Sequence, residues 1–196
     1  DSLDQYRDSS ELLQWQESYA YHPCRVIRNT VNRNYNYLTL DEGRAEGIRA
    51  DMGVVSPEGI VGRVIAVSEH YSLALSALNL SFKVTLKTLP EEDEQGSIGV
   101  YEWNGRDPRY ADLTYVPESV ELIEDVTQVV TSGFSNIFPA GYPVGVVREV
   151  TSNQEDGFLN ARIELATDFH RLGTVFIVEA EHQPELDSLY QAIPAP

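Results

Sequence analysis

The chain predicts an all-β protein of two small six-stranded β-barrels, of trypsin-like architecture without a catalytic triad, preceded by an N-terminal helix. Three observations predict the barrels. From Cys24 onward apolar residues recur with period two, short segments are broken by Gly, Pro, Asn and Asp, and no helical stretch separates one strand candidate from the next. A parallel sheet needs helical crossovers, so it is excluded. A flat sheet of so many strands is unusual, whereas closing two barrels removes the exposed edges.

Residues 1–22 are polar and free of glycine until Pro23, with Asp8 three residues before Glu11 in the manner of a capping box ahead of Leu12, Leu13 and Trp15. A helix is expected there. Leu3, Tyr6, Ser10, Leu13, Glu17 and Ala20 follow a loose heptad, with Leu3, Tyr6 and Leu13 as its apolar seam. The segment is either the end of a dimerising coiled coil or an amphipathic helix leaning on the body.

Twelve strand candidates follow, at residues 25–30, 35–40, 53–56, 60–67, 73–77, 82–88, 97–101, 111–116, 128–131, 144–150, 159–165 and 174–179. The clearest alternation is FKVTLKT, which sends Phe82, Val84 and Leu86 to one face and Lys83, Thr85 and Lys87 to the other. The first barrel is assigned to residues 23–80 and the second to 81–180, with exchange of strands between them left open. An internal echo links the halves: DMGVVSPEGIVGRV from Asp51 and DVTQVVTSG from Asp125, followed by GYPVGVV from Gly141, each lead a Val-Val strand through a turn into a glycine-bearing strand. Gly62 and Gly145 fit the sharp bends of barrel corners. NGRDPR at 104–109 reads as a hairpin tip, SNQEDG at 152–157 as a hairpin turn, and EEDEQ at 91–95 as a solvated turn. In the tail, 181–196, Leu186, Leu189, Tyr190 and Ile193 share one helical face between two prolines. That stripe either docks on a neighbour or on its own barrel, or belongs to a disordered end.

Among 196 residues, 31 are acidic and 14 basic, a net charge of -17. Such a surface repels a phosphate backbone, which excludes nucleic acid as a partner. The single cysteine, Cys24, forms no internal disulfide. No run of about 18 apolar residues is present. The start, DSLDQYRDSS, lacks a methionine, and an anchor or signal upstream of it is expected.

The stretch TSGFSNIFPAGYPVGVV, from Thr131 to Val147, invites a catalytic reading with Ser132 or Ser135 as nucleophile. Ser135 sits in GFSNI, however, which lacks the spacing of a nucleophile elbow, and no motif positions His22, His70, His170 or His182 beside it. No cysteine and histidine spacing suits zinc, and the acids of SNQEDG fall at the wrong offsets for a calcium loop. No catalytic, metal or cofactor residue is assigned. A two-barrel serine hydrolase, active or degenerate, and a wall-binding module using Trp15, Trp103 and the eleven tyrosines are the alternatives. As exposed aromatic and aliphatic groups near loop tips, Tyr35, Tyr37, Ile137, Phe138 and Tyr142 are the candidate surface for a partner or a second copy. Ile137 and Phe138 equally suit the plug of a barrel end.

Over residues 24–179 the chain resembles the family of the rod-shape-determining protein MreC. The resemblance rests on the order of LTLDEGRAEGI (Leu38 to Ile48), Met52, VVSPEGIVGRV (Val54 to Val64), VVTSG (Val129 to Gly133), IFPAGYPVGVV (Ile137 to Val147) and DFHRL (Asp168 to Leu172). It carries Asp41, Gly43, Gly47, Gly59, Gly62, Arg63, Gly133, Pro139, Gly141, Pro143 and Gly145 as structural positions of the family pattern. It implies a non-enzymatic scaffold, without cofactors, on the periplasmic side of the inner membrane, held by an N-terminal transmembrane helix that lies outside this chain. The implied partners are a second copy, a class B penicillin-binding transpeptidase and membrane proteins of the rod complex, which makes peptidoglycan during elongation. The insert at 104–109 and the acidic residues 91–94 depart from the pattern.

Overall fold

The structure is a computed structural model and describes residues 19–89, 96–134, 136–153 and 157–180. Its strands close into two barrels. The first contains β1 (Tyr19–Asn29), β2 (Tyr35–Leu40), β3 (Gly53–Val55), β4 (Ile60–Val67), β5 (Ser72–Asn79) and β12 (Thr174–Ala180), in the order β1-β12-β3-β4-β5-β2. The second contains β6 (Lys83–Leu89), β7 (Ile98–Glu102), β8 (Tyr110–Pro117), β9 (Gln128–Thr131), β10 (Pro143–Asn153) and β11 (Phe158–Leu165), in the order β10-β11-β8-β7-β6-β9. Every pair is antiparallel.

The alternation of apolar residues explains which face each strand buries. In β6, Val84 and Leu86 point inward while Lys83 and Lys87 stay in solvent, and Phe82 just ahead of the strand is buried as well. Phe82 meets Tyr101 of β7 edge to face, with ring centroids 5.5 Å apart. The hairpin tip at 104–109 forms as expected: Asn104 accepts the Arg106 amide at 3.1 Å, and Gly105 takes a left-handed φ of 80°. Residues 91–95 lie outside the described residues.

Two sequence expectations need correction. Residues 19–22, assigned to the N-terminal helix, are strand, because Tyr19 to His22 pair with Ala180 to Ile177 of β12. The rest of that expected helix, with Leu3, Tyr6 and Leu13, lies outside the described residues. The boundaries of the barrels also shift. Residues 174–180, assigned to the second barrel with 81–180, belong to the first, where β12 fills the gap between β1 and β3. Without it the assigned span 23–80 leaves two open edges.

The chain crosses between barrels at two places. After β5 it runs into β6 through a tight turn in which the Phe82 amide donates to Asn79 at 2.9 Å. After β11 it returns along 166–173, tied down by the Thr167 hydroxyl on the Ile60 carbonyl at 2.9 Å and by the Asn29 side chain on the Phe169 carbonyl at 2.7 Å. The two cores therefore meet along a shared seam. Tyr101, wholly buried, spans it by donating to the Ala77 carbonyl of β5 at 3.0 Å.

Candidate interaction site

Between β9 and β10 the chain makes a loop that reaches from the second barrel to the first. Thr131 organises its base. Its hydroxyl donates to the Pro139 carbonyl and accepts the Tyr142 amide at 2.9 Å, and its backbone carbonyl accepts the Gly141 amide at 2.9 Å. Gly133 turns the chain with a φ of 79°, in the region an L side chain rarely adopts, and a Cβ there would meet that of Ala140 at 2.8 Å. Ser132 donates to the Thr85 carbonyl at 2.8 Å, so its hydroxyl staples the loop to β6. Ser135 lies outside the described residues.

The tip of this loop presses on β3. A Cβ on Gly53 would lie 2.3 Å from the Ile137 carbonyl and 3.0 Å from the Phe138 ring. Only a residue without a side chain lets the two approach. Phe138 is 1% exposed, Pro139 beside it is buried, and Ile137 is half-buried. The Tyr19 hydroxyl donates to the Phe138 carbonyl at 3.3 Å, and that of Tyr142 to the Ser56 carbonyl at 2.7 Å. Burial raises the pKa of both tyrosines, so both keep their donor proton near neutrality. A partner therefore has no access to the Phe138 ring, and Tyr142 is half-buried with its hydroxyl engaged. This corrects the expectation that Phe138 faces outward: the ring fills the seam between the barrels.

A cleft of about 290 Å³ opens beside the loop, lined by Arg49, Asp51, Met52, Arg63, Ile137 and Glu179 among others. Arg49 pairs with Glu179, and Arg63 with Asp51 at 3.5 Å. Each guanidinium has a carboxylate, so the cleft carries no surplus charge.

Tyr35 and Tyr37 lie elsewhere, on the outer face of β2, 54% and 37% exposed. Register connects them to the loop. Tyr37 opposes Leu75 of β5, Leu75 opposes Arg63 of β4, Arg63 opposes Gly53 of β3, and Gly53 carries Phe138. The five candidate residues thus form two groups at the ends of one cross-strand row. Sequence reasoning missed the neighbours that make the outer face apolar: Ile65, extruded where the β4 register shifts between Val64 and Ala66, and Tyr71 at the β4–β5 turn. The bulge hides Ile65 from a strict period-two count. Trp103 is buried and donates its indole N–H to the Asp107 carbonyl at 3.2 Å, so it offers no platform, and Trp15 lies outside the described residues.

The motif residues hold turns and corners. Asp41 accepts both the amide and the Nε–H of Arg25 at 2.6 Å, which lowers its pKa, the backbone bond first. Gly43 donates to Glu46 at 2.7 Å to start the 3-10 turn Arg44–Glu46, which ends at Gly47. Gly59 sits under Thr167 and the Pro143 carbonyl. A Cβ on Gly62 would strike the Leu75 carbonyl at 2.2 Å, and one on Gly145 the Glu164 carbonyl at 2.1 Å, so the paired glycines of the sequence echo do the same work in the two barrels. His70 is at an exposed turn, His170 is exposed in the turn after Asp168, and His22 lies 3.7 Å from Glu179. Ser132 is committed to β6 while these three sit on first-barrel strands or in turns. Among the described residues no group of three metal-ligating side chains is found, and no helix is long and apolar enough to cross a membrane.

Comparison with known proteins agrees with this geometry. The chain is 26% identical over 179 residues to the cell shape-determining protein MreC of Listeria monocytogenes, covering 88% of this chain and 59% of that protein. It is 31% identical over 126 residues to that of Escherichia coli, covering 63% and 32% respectively. The chain thus spans between about a third and three fifths of the relatives it matches. A solved MreC structure from Listeria superposes with a TM-score of 0.78 at 22% identity, covering 91% of this chain and 87% of the other. A solved complex between a penicillin-binding protein, PBP2, and MreC from Helicobacter pylori superposes with a TM-score of 0.64 at 17% identity, covering 83% and 99%. The family model for the rod shape-determining protein MreC, barrel core, matches residues 26–179, both barrels included, and the chain belongs to that family.

Proposed function

We propose that this chain is the extracytoplasmic barrel region of a non-enzymatic cell-shape scaffold of the bacterial rod complex, which self-associates and organises a class B penicillin-binding transpeptidase and membrane partners for peptidoglycan synthesis. The observation that carries the reading is the family match across both barrels. Solved relatives described as a cell shape-determining filament and as a complex with a penicillin-binding protein support its two modes of association. Tyr35 and Tyr37 are the partner-facing residues, since large aromatic groups exposed on a rigid sheet suit an interface. A membrane anchor upstream and a dimer seam at Leu3, Tyr6 and Leu13 complete the scaffold.

Replacing the chromosomal gene by a Tyr35→Ala/Tyr37→Ala allele tests the reading, with purified chain and transpeptidase ectodomain from the same host as the binding pair. Rounded cells and weakened binding are expected. Normal rods after outright deletion of an expressed gene sink the scaffold role. Light scattering of the chain with and without residues 1–18 tests the dimer seam separately.

A further inference from the structure

The outer face of β2, β5 and β4 carries a groove of about 270 Å³, lined by Thr39, Ala66, Val67, Tyr71 and Leu73 among others, with Tyr37 and the bulged Ile65 at its sides. Tyr71 is half exposed, and Ile65 and Tyr37 more than a third. Contiguous exposed apolar groups of this kind mark a surface that something covers. Three observations say what covers it.

The first is reach. β12 ends at Ala180, and Val178 opens the cross-strand row that runs through Gly53 and Arg63 to Leu75. Three strand spacings separate Val178 from Leu75, about 14 Å. Six residues separate Ala180 from Leu186, enough for about 20 Å of extended chain. The second is the stripe of Leu186, Leu189, Tyr190 and Ile193, which has the spacing of one helical face and needs an apolar surface of matching length. The third is charge. The tail carries Glu181, Glu185 and Asp187 and no lysine or arginine. Residues 81–173 hold sixteen acidic against seven basic side chains and repel it, whereas 19–80 with 174–180 hold seven against six. A second copy of so acidic a chain meets the same repulsion, while the tail is tethered at an effective concentration in the millimolar range.

We infer that residues 185–193 lie across the outer face of β4, β5 and β2, setting Leu186, Leu189, Tyr190 and Ile193 on Ile65, Leu73, Tyr71 and Tyr37. The docking stands apart from the scaffold role. Its consequence alone, that a partner must displace the tail to reach Tyr37, rests on that role.

Paired cysteines in the full chain test it. Ile65→Cys/Leu189→Cys, oxidised at low micromolar concentration, is expected to give an intrachain disulfide in at least about tenfold the yield of a Tyr115→Cys/Leu189→Cys control, whose first cysteine is on the second barrel. Cys24 is buried and does not compete. Adding Leu186→Asp/Ile193→Asp to the first pair should return the yield to the control. Equal yields in the two pairs overturn the inference, as does an Ile65→Cys pair that links only between chains, which would make a second copy the occupant.

Discussion

The Phe138 ring of the second barrel lies against Gly53 of the first, at the one β3 position where an added Cβ would strike the neighbouring carbonyl of Ile137 at 2.3 Å. A side chain absent on one strand makes room for a large one from another barrel. With Tyr19 donating to the Phe138 carbonyl and Tyr142 to the Ser56 carbonyl, the loop of residues 132–142 acts as a clasp across the seam.

Removing either half of this contact should loosen the clasp. Phe138→Ala leaves a cavity where a fully buried ring stood and is expected to cost about 3–5 kcal/mol in urea unfolding. Gly53→Ala forces the loop away and should also lower the midpoint, although it adds apolar surface. An unchanged midpoint in both variants would show that the loop does not hold the barrels together.

Hydroxyl bonds across the seam should differ in value according to what they leave behind. Thr167→Val abandons the Ile60 carbonyl in a buried setting, and a loss of about 1–3 kcal/mol is expected. Tyr142→Phe abandons the Ser56 carbonyl in a partly buried one, with a loss of about 0.5–1.5 kcal/mol. Denaturant titration of the two variants side by side tests the order.

Acid should weaken the hairpin at 104–109. The Arg109 side chain, then its amide, hold the Asp107 carboxyl at about 2. A carboxyl depressed on folding stabilises the protein above its unfolded value of about 3.9, and the contribution is lost as pH falls from there through about 2. Carboxyl chemical shifts should place the Asp107 midpoint near 2. Asp107→Asn should flatten the decline in stability over that interval, and a midpoint near 4 would contradict the assigned bonds.

Cys24 should be inert in the folded protein. Burial first, then the charges of Asp41 and Glu42, push its thiol up to about 12, so almost no thiolate exists at pH 8. Alkylation at that pH is expected to be slow until urea unfolds the first barrel. Rapid labelling of the native chain would contradict the burial of β1.

Local pattern carried most of the fold. Alternation in segments such as FKVTLKT is set by neighbours two residues away, so strand number and position are legible from the chain alone, and so are glycines such as Gly62 and Gly145, which recur in the same place in both halves. The sign and segregation of charge were equally legible. Long-range pairing was not. Tyr19 to His22 read as helix because their own neighbours are polar, yet they are strand because β12, more than 150 residues later, supplies their hydrogen bonds. The same pairing moved β12 into the first barrel. Burial at the seam was hidden for a like reason. Nothing adjacent to Phe138 in sequence says that Gly53 waits across the interface, whereas Tyr35 and Tyr37 remain outside because no strand of either barrel packs over β2. Contacts that close a barrel or join two of them depend on surfaces built by distant residues, and those exist only once the chain has folded.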